Sequence, residues 1–156
     1  MKIVVCPDSF KGSLTAAQAS EAIKEGISSV CPDYHVVTLP LADGGEGTSS
    51  VIASITGGTA IVTDTINAIG ENITATYYII NRGKKKTALI DVAAASGLTL
   101  VSPQRRDVMT ASSYGTGVLI KNAYERGCRD FIIGLGGSAT CDAGTGIMEA
   151  LGPDIP

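Results

Sequence analysis

The sequence predicts an α/β fold built on a parallel, doubly wound sheet. Two observations carry this. Strand–loop–helix order occurs twice in succession at the start of the chain, in residues 3–30 and 36–56. It recurs near the end, where Phe131-Ile132-Ile133 leads through a glycine-rich loop, 134–146, into Ile147-Met148-Ala150-Leu151. Repeated units of this kind place strands side by side and in parallel. Residues 1–57 and 110–156 are therefore expected to form one lobe of the flavodoxin or Rossmann kind. Residues 58–109 are expected to be a β-rich insertion or a partial second lobe.

Ile3-Val4-Val5-Cys6 is a continuous apolar run, as for a strand buried on both faces. Thr15 and Gln18 form a capping-box pattern that opens a helix, with Ala16, Ala19, Ile23, Ile27 and Val30 on its core face. Val36-Val37-Thr38-Leu39 reads as the second strand, and Val51, Ile52 and Ile55 as the core face of the second helix. Residues 61–66, 73–80 and 87–92 are rich in Val, Ile, Thr and Tyr and are separated by turn residues, which predicts a β-meander. Ser112 or Ser113 can cap a helix running to Arg126-Gly127. Gly115 and Gly117 in its first turn weaken it, so close approach to a ligand or another loop is expected there. The last helix is barely two turns long and no strand follows it before Gly152-Pro153-Asp154-Ile155-Pro156, so the chain reads as truncated.

Composition narrows the function. With 44% hydrophobic and 17% charged residues the chain is globular. A net charge of −3 and the absence of Trp give no footprint for nucleic acid. Lys84-Lys85-Lys86 beside Asn81-Arg82-Gly83 reads as a solvated hairpin tip. Cys6, Cys31, Cys128 and Cys141 show no metal-ligand spacing, and reduced cytoplasmic thiols are expected. No stretch is long enough to span a membrane.

The polar residues gather where a parallel sheet places ligands, after strand ends. Asp8, Lys11, Asp43 and Glu46 all sit at such points. Asp8 and Asp43 are candidates for Mg²⁺ or for activating a hydroxyl, since Mg²⁺ takes a few carboxylates plus substrate phosphates. Lys11 is a candidate for phosphate oxygens. In the long loop, Gly136, Gly137, Ser138, Ala139, Thr140 and Asp142 are candidates for the nucleotide phosphates, with backbone N–H groups facing an anion. Asp142 could equally brace the turn. Ser9, Glu46, Ser113 and Arg105 complete the set as substrate contacts, Arg105 suiting a carboxylate. Gly134-x-Gly136-x-x-Ala139 also fits a relaxed dinucleotide fingerprint, but no following strand ends in an acidic residue about 20 residues on. No P-loop signature is present.

Five motifs occur in one order: Pro7-Asp8-Ser9-Phe10-Lys11-Gly12, Ala42-Asp43-Gly44-Gly45-Glu46-Gly47-Thr48, Ala93-Ala94-Ala95-Ser96-Gly97-Leu98, Ser113-Tyr114-Gly115-Thr116-Gly117 and Gly136-Gly137-Ser138-Ala139-Thr140. Together they resemble the bacterial type 1 glycerate kinases, from Met1 to about Leu151. That resemblance implies phosphorylation of D-glycerate with ATP and Mg²⁺, usually to 2-phosphoglycerate, at a site between two α/β lobes of a longer chain. The family usually has Asn at the position of Cys141, Arg-Asn-Pro at Arg106-Asp107-Val108, and Glu at Val118. The other readings are a non-catalytic nucleotide- or anion-binding fragment and a dinucleotide-binding oxidoreductase.

Overall fold

Two short β-branched runs pair first. In the computed structural model, which describes residues 1–83 and 85–152, β1 (Lys2–Val5) and β2 (His35–Thr38) lie parallel with Val4 opposite Val37. Helix α1 (Ala16–Val30) is the crossover between them. Its capping box forms as expected: Gln18 N donates to Thr15 Oγ1 at 3.2 Å and Thr15 N donates to Gln18 Oε1 at 2.9 Å. Ala16 and Ala19 are buried, but Ile23 is 41% and Val30 79% exposed, so the expected core face is only half covered. The cause is length. Fifteen helical residues span about 22 Å, whereas a four-residue strand covers about 13 Å. Val4 is likewise 54% exposed rather than buried. These elements belong to a first compact unit, Met1–Asp43.

The second unit begins at Gly44. Its sheet runs β3 (Thr59–Ile66), β4 (Asn72–Arg82), β5 (Lys85–Asp91), β6 (Asp130–Gly134). The first three strands are the antiparallel meander that the turn residues predict. β6 then joins β5 in parallel. This corrects the expectation that Val4, Val37 and Ile132 share one sheet. Ile132 pairs with Leu89, and the β-rich stretch is the body of the sheet that β6 extends. As an edge strand β6 also leaves Ile132 and Ile133 more than a third exposed, where the sequence predicts a buried strand. The run Lys85-Lys86 stands exposed at the β4–β5 hairpin, while Lys84 and the terminal residues 153–156 lie outside the described residues.

Both faces of this sheet are covered. α3 (Ala93–Ser96) and α4 (Tyr114–Glu125) pack on one face, around Tyr77, Ala88, Ile90, Leu119 and Ala123. α2 (Thr48–Thr56) packs on the other, where Ala53 meets Ile80 and Leu89. Ala88, Leu89 and Ile90 of β5 are fully buried because successive side chains enter opposite cores. Tyr77 crosses the first core and its hydroxyl donates to Asn122 Oδ1 at 2.8 Å. α5 (Thr145–Leu151) packs on α4.

The costly glycines of α4 are explained by close approach. A Cβ on Gly115 would lie 1.9 Å from the carbonyl oxygen of Ile66, and one on Gly117 would lie 2.6 Å from Ala150 Cβ. Gly115→Ala should therefore destabilise the second unit by about 1–3 kcal/mol through overpacking. Gly26→Ala, in α1 with nothing within 4 Å of its Cβ, should stabilise the first unit by about 0.5–1 kcal/mol. Urea midpoints of the two variants against the parent chain check both signs.

Candidate functional site

Four of the five ordered motifs interlock within the second unit. Gly136 N donates to Gly44 O at 2.9 Å, joining the 134–138 loop to the 44–48 loop. Ala139 N donates to Ser96 O and Leu98 N to Gly137 O, each at 2.8 Å, joining it to the 93–98 segment. The hydroxyls of Ser96 and Thr116 lie 2.9 Å apart, which brings in the head of α4. The glycines permit this contact. A Cβ on Gly136 would sit 2.7 Å from Gly45 Cα, and one on Gly134 would sit 2.8 Å from Gly44 O. Ser138 and Thr140, both half-buried, share a hydroxyl contact at 2.9 Å.

Asp142 is the brace of the long loop. Its Oδ2 accepts from Ser113 N and Ser113 Oγ, both at 2.8 Å, and from Gly146 N at 3.1 Å. Its Oδ1 accepts from Gly144 N at 3.1 Å. Burial acts to raise its pKa, but these donors outweigh burial and hold the carboxyl below its ordinary value. Ser113, predicted as a cap or a substrate contact, makes no cap bond to its own helix. Its hydroxyl instead also accepts from Ile147 N at 3.2 Å, tying α4 to α5. The N–H groups at the start of α5 thus point at Asp142 and Ser113. Between them Ala143 holds φ 52°, a left-handed conformation costing about 1–2 kcal/mol in a non-glycine residue.

Asp91 escapes the sequence reading altogether. It ends β5, is 5% exposed, and accepts from Gly47 N at 3.0 Å, Ser49 N at 3.0 Å and Ser49 Oγ at 2.9 Å. Burial is the main cause that pushes its carboxyl up, the Ser49 and Gly47 donors oppose this, and the charge of Glu46 adds to it. The available signal was an acidic residue closing the buried run Ala88-Leu89-Ile90. Glu46 itself is exposed, and its Cβ lies 3.9 Å from where a Cβ on Gly137 would be.

In the first unit, the β1 and β2 ladder continues past both strands, with Leu39 N donating to Val5 O and Leu41 N to Pro7 O. Asp8 and Asp43 therefore leave the same end of that sheet. Both are exposed, and Asp8 Oδ1 accepts from Ser9 N at 2.6 Å. Lys11 is exposed on the turn that Phe10 and Leu14 close, beside Gly12 at φ 75°. Among the described residues no three His, Cys, Asp or Glu are grouped as a metal cage. Arg105, on the 3₁₀ turn Pro103–Arg105, is exposed and its guanidinium pairs with Glu71. All four cysteines are free, and Cys141 is exposed in the long loop. No described helix is long and apolar enough to cross a membrane.

The Asp142 clamp fixes a pH dependence. Its folded pKa lies below the ordinary value of 3.8, so its contribution is present above that value and is lost as pH falls through the folded pKa. Asp142→Asn sets an amide against N–H donors and should cost about 1–3 kcal/mol near neutral pH. The gap to the parent chain should close in acid. Urea unfolding at pH 7 and below pH ~3, followed by circular dichroism, checks this.

Comparison with known proteins assigns the family. The glycerate kinase family matches residues 3–155. The chain is 47% identical over 152 residues to glycerate kinase of Haemophilus influenzae and 45% identical over 155 residues to glycerate 2-kinase of Escherichia coli K12. These alignments take in 97% and 99% of the chain, which spans about 40% of the length of either relative. It is also similar to the crystal structure of a Salmonella typhimurium LT2 protein provisionally assigned as glycerate kinase 2. The TM-score is 0.75 at 43% identity, covering 97% of this chain and 41% of that one. On the strength of this match along nearly its whole length, the chain belongs to the glycerate kinase family.

Proposed function

We propose that this sequence carries the glycine-loop part of a cytoplasmic kinase that phosphorylates D-glycerate with ATP and Mg²⁺ to give 2-phosphoglycerate. The observation that supports it most is the meeting of four ordered motifs in one hydrogen-bonded cluster, in a chain of the glycerate kinase family. Phosphoryl transfer asks a protein mainly to position reactants and offset charge. Loops held rigid by their own hydrogen bonds suit the first task.

The roles follow from chemistry. Gly136, Gly137, Ser138, Ala139 and Thr140 line the nucleotide phosphates, with Asp142 holding their loop in shape. Lys11, exposed and outside every ion pair among the described residues, supplies positive charge to phosphate. Asp8 and Asp43 offer hard oxygen donors from neighbouring strand ends. That donor set fits Mg²⁺, which takes one or two carboxylates plus substrate phosphates rather than an all-protein cage. Bound there, the ion would screen phosphate charge. Ser9, Glu46, Ser113 and Arg105 are the substrate-side set, Arg105 requiring release from Glu71 to meet a carboxylate.

A second reading is favoured by the chain's span of about 40% of its relatives: it binds nucleotide or anion without turnover. A coupled ADP-release assay with D-glycerate and Mg-ATP, paired with calorimetric titration, separates the two. The 156-residue chain should turn over slowly or not at all, since incomplete positioning can cost ~10²-fold or more in rate. Fusing the C-terminal 60% of the Escherichia coli relative should restore turnover, and Lys11→Met in that fusion should lower it by at least ~10-fold. Equal turnover with and without the extension would refute the need for it. No binding and no turnover in either form would refute the kinase reading.

A further inference from the structure

Asp91 is engaged more fully than a helix cap requires. The head of α2 needs an acceptor for its N–H groups, which a neutral Ser or Asn in the adjacent loop supplies in most helices. Here a carboxylate from the end of β5, more than forty residues away in sequence, does so from a buried position. Burying a charge is costly unless it is well hydrogen-bonded. Gly47 N, Ser49 N and Ser49 Oγ all donate to it, as an acceptor-only group needs.

The same carboxylate lies beside the start of the second loop. Asp91 is paired with Gly134 across β5 and β6, and Val92 N donates to Gly134 O at 2.8 Å. A Cβ on Gly134 would lie 2.9 Å from Asp91 Oδ1 and 2.8 Å from Gly44 O. Gly44 O in turn accepts from Gly136 N. A closed path therefore runs from the Asp91 carboxylate through Gly47 and Ser49 to Gly44, across to Gly136, and back through Leu135 to Gly134 at the end of β6. Glu46 rides on this path, with its Cβ beside Gly137.

We propose that Asp91 is a positioning residue that couples the 44–49 loop to the 134–138 loop and so fixes Glu46 beside the phosphate-side glycines. The catalytic meaning of this coupling rests on the kinase reading above; the coupling itself does not.

The test uses amide hydrogen exchange by NMR on the 156-residue chain, its Asp91→Asn variant and an Ala53→Gly control. Ala53→Gly removes a buried methyl from α2 and leaves the carboxylate untouched. Asp91→Asn should speed exchange at Gly47, Ser49 and Gly136 by about tenfold or more, with Tyr77 and Ile79 of β4 unchanged. The control should leave Gly136 unchanged. Opening at Gly47 and Ser49 alone would reduce Asp91 to a helix cap and overturn the inference. So would equal opening of Gly136 in the control. If Asp91→Asn does not fold, Ser49→Ala, which removes one donor, is judged by the same amides.

Titration of the same samples with D-glycerate and with Mg-ADP, read through the Gly136 and Gly137 amides, addresses the site. Affinity should fall about tenfold in Asp91→Asn and hold in the control. Unchanged affinity in Asp91→Asn would overturn the positioning role. Absence of binding of both ligands in the parent chain and in its fusion with the C-terminal part of the Escherichia coli relative would sink the kinase reading, while exchange at Gly136 still decides the coupling.

Discussion

Every glycine loop that enters a helix leaves backbone N–H groups in need of acceptors, and this constraint organises the second unit. The heads of α2 and α5 meet it with two aspartate carboxylates, and Tyr114 N at the head of α4 donates to Ser112 Oγ at 3.2 Å. Asp91 serves the head of α2 through Gly47 and Ser49. Asp142 accepts from Ser113 N, just before α4, and serves α5 through Gly144 and Gly146. Once these acceptors are fixed, the loops have little freedom, and the glycines at 134, 136 and 146 let their backbones close to contact distance. The Ser113 hydroxyl, donating to Asp142 and accepting from Ile147, completes a clamp that no single helix could make alone.

The two carboxylates do similar work at opposite electrostatic poles. Asp91 is the more deeply buried, and the negative Glu46 lies near it, so its proton is held above the ordinary value despite its donors. Asp142 is half-buried, and the Ser113, Gly146 and Gly144 donors more than offset its desolvation. The signs of their linkage differ accordingly. Asp142 contributes stability above the ordinary carboxylate range and loses it in acid. Asp91 binds its proton more tightly folded than unfolded, so its effect on stability weakens as pH rises from the ordinary value toward its folded one.

Local patterns were legible in the sequence, and long-range pairing was not. Thr15 and Gln18 announce their capping box because the whole motif lies within four residues. The meander shows because Asn, Gly and Arg punctuate Val-, Ile- and Thr-rich runs. Gly115 and Gly117 advertise a close approach because nothing else justifies glycine in a first turn. The sheet membership of Ile132 left no such mark. An apolar run says that a strand exists, but its neighbour is set by a crossover of about forty residues, here β5 to β6. Asp91 was missed for a related reason: its partners Gly47 and Ser49 stand far behind it in the chain, and periodicity does not register contacts of that range.

The internal anions also set the terms on which a phosphate could bind. In a loop where ligand phosphate fills the helix head, the dipole and the free N–H groups do most of the attraction. Here Asp91 already occupies the head of α2, Asp142 and the Ser113 hydroxyl that of α5, and the Ser112 hydroxyl that of α4. The motif loops at 44–49, 91–98, 112–117 and 134–146 contain Glu46, Asp91 and Asp142 but no Lys or Arg. A triphosphate entering this cluster would add negative charge beside carboxylates, at an unfavourable energy of about 1–4 kcal/mol per pair at 4 Å depending on solvent access. The loops can therefore supply shape and hydrogen bonds, which they hold in place without a ligand, but not the countercharge. In the proposed reaction that countercharge has to come from a cation outside these loops.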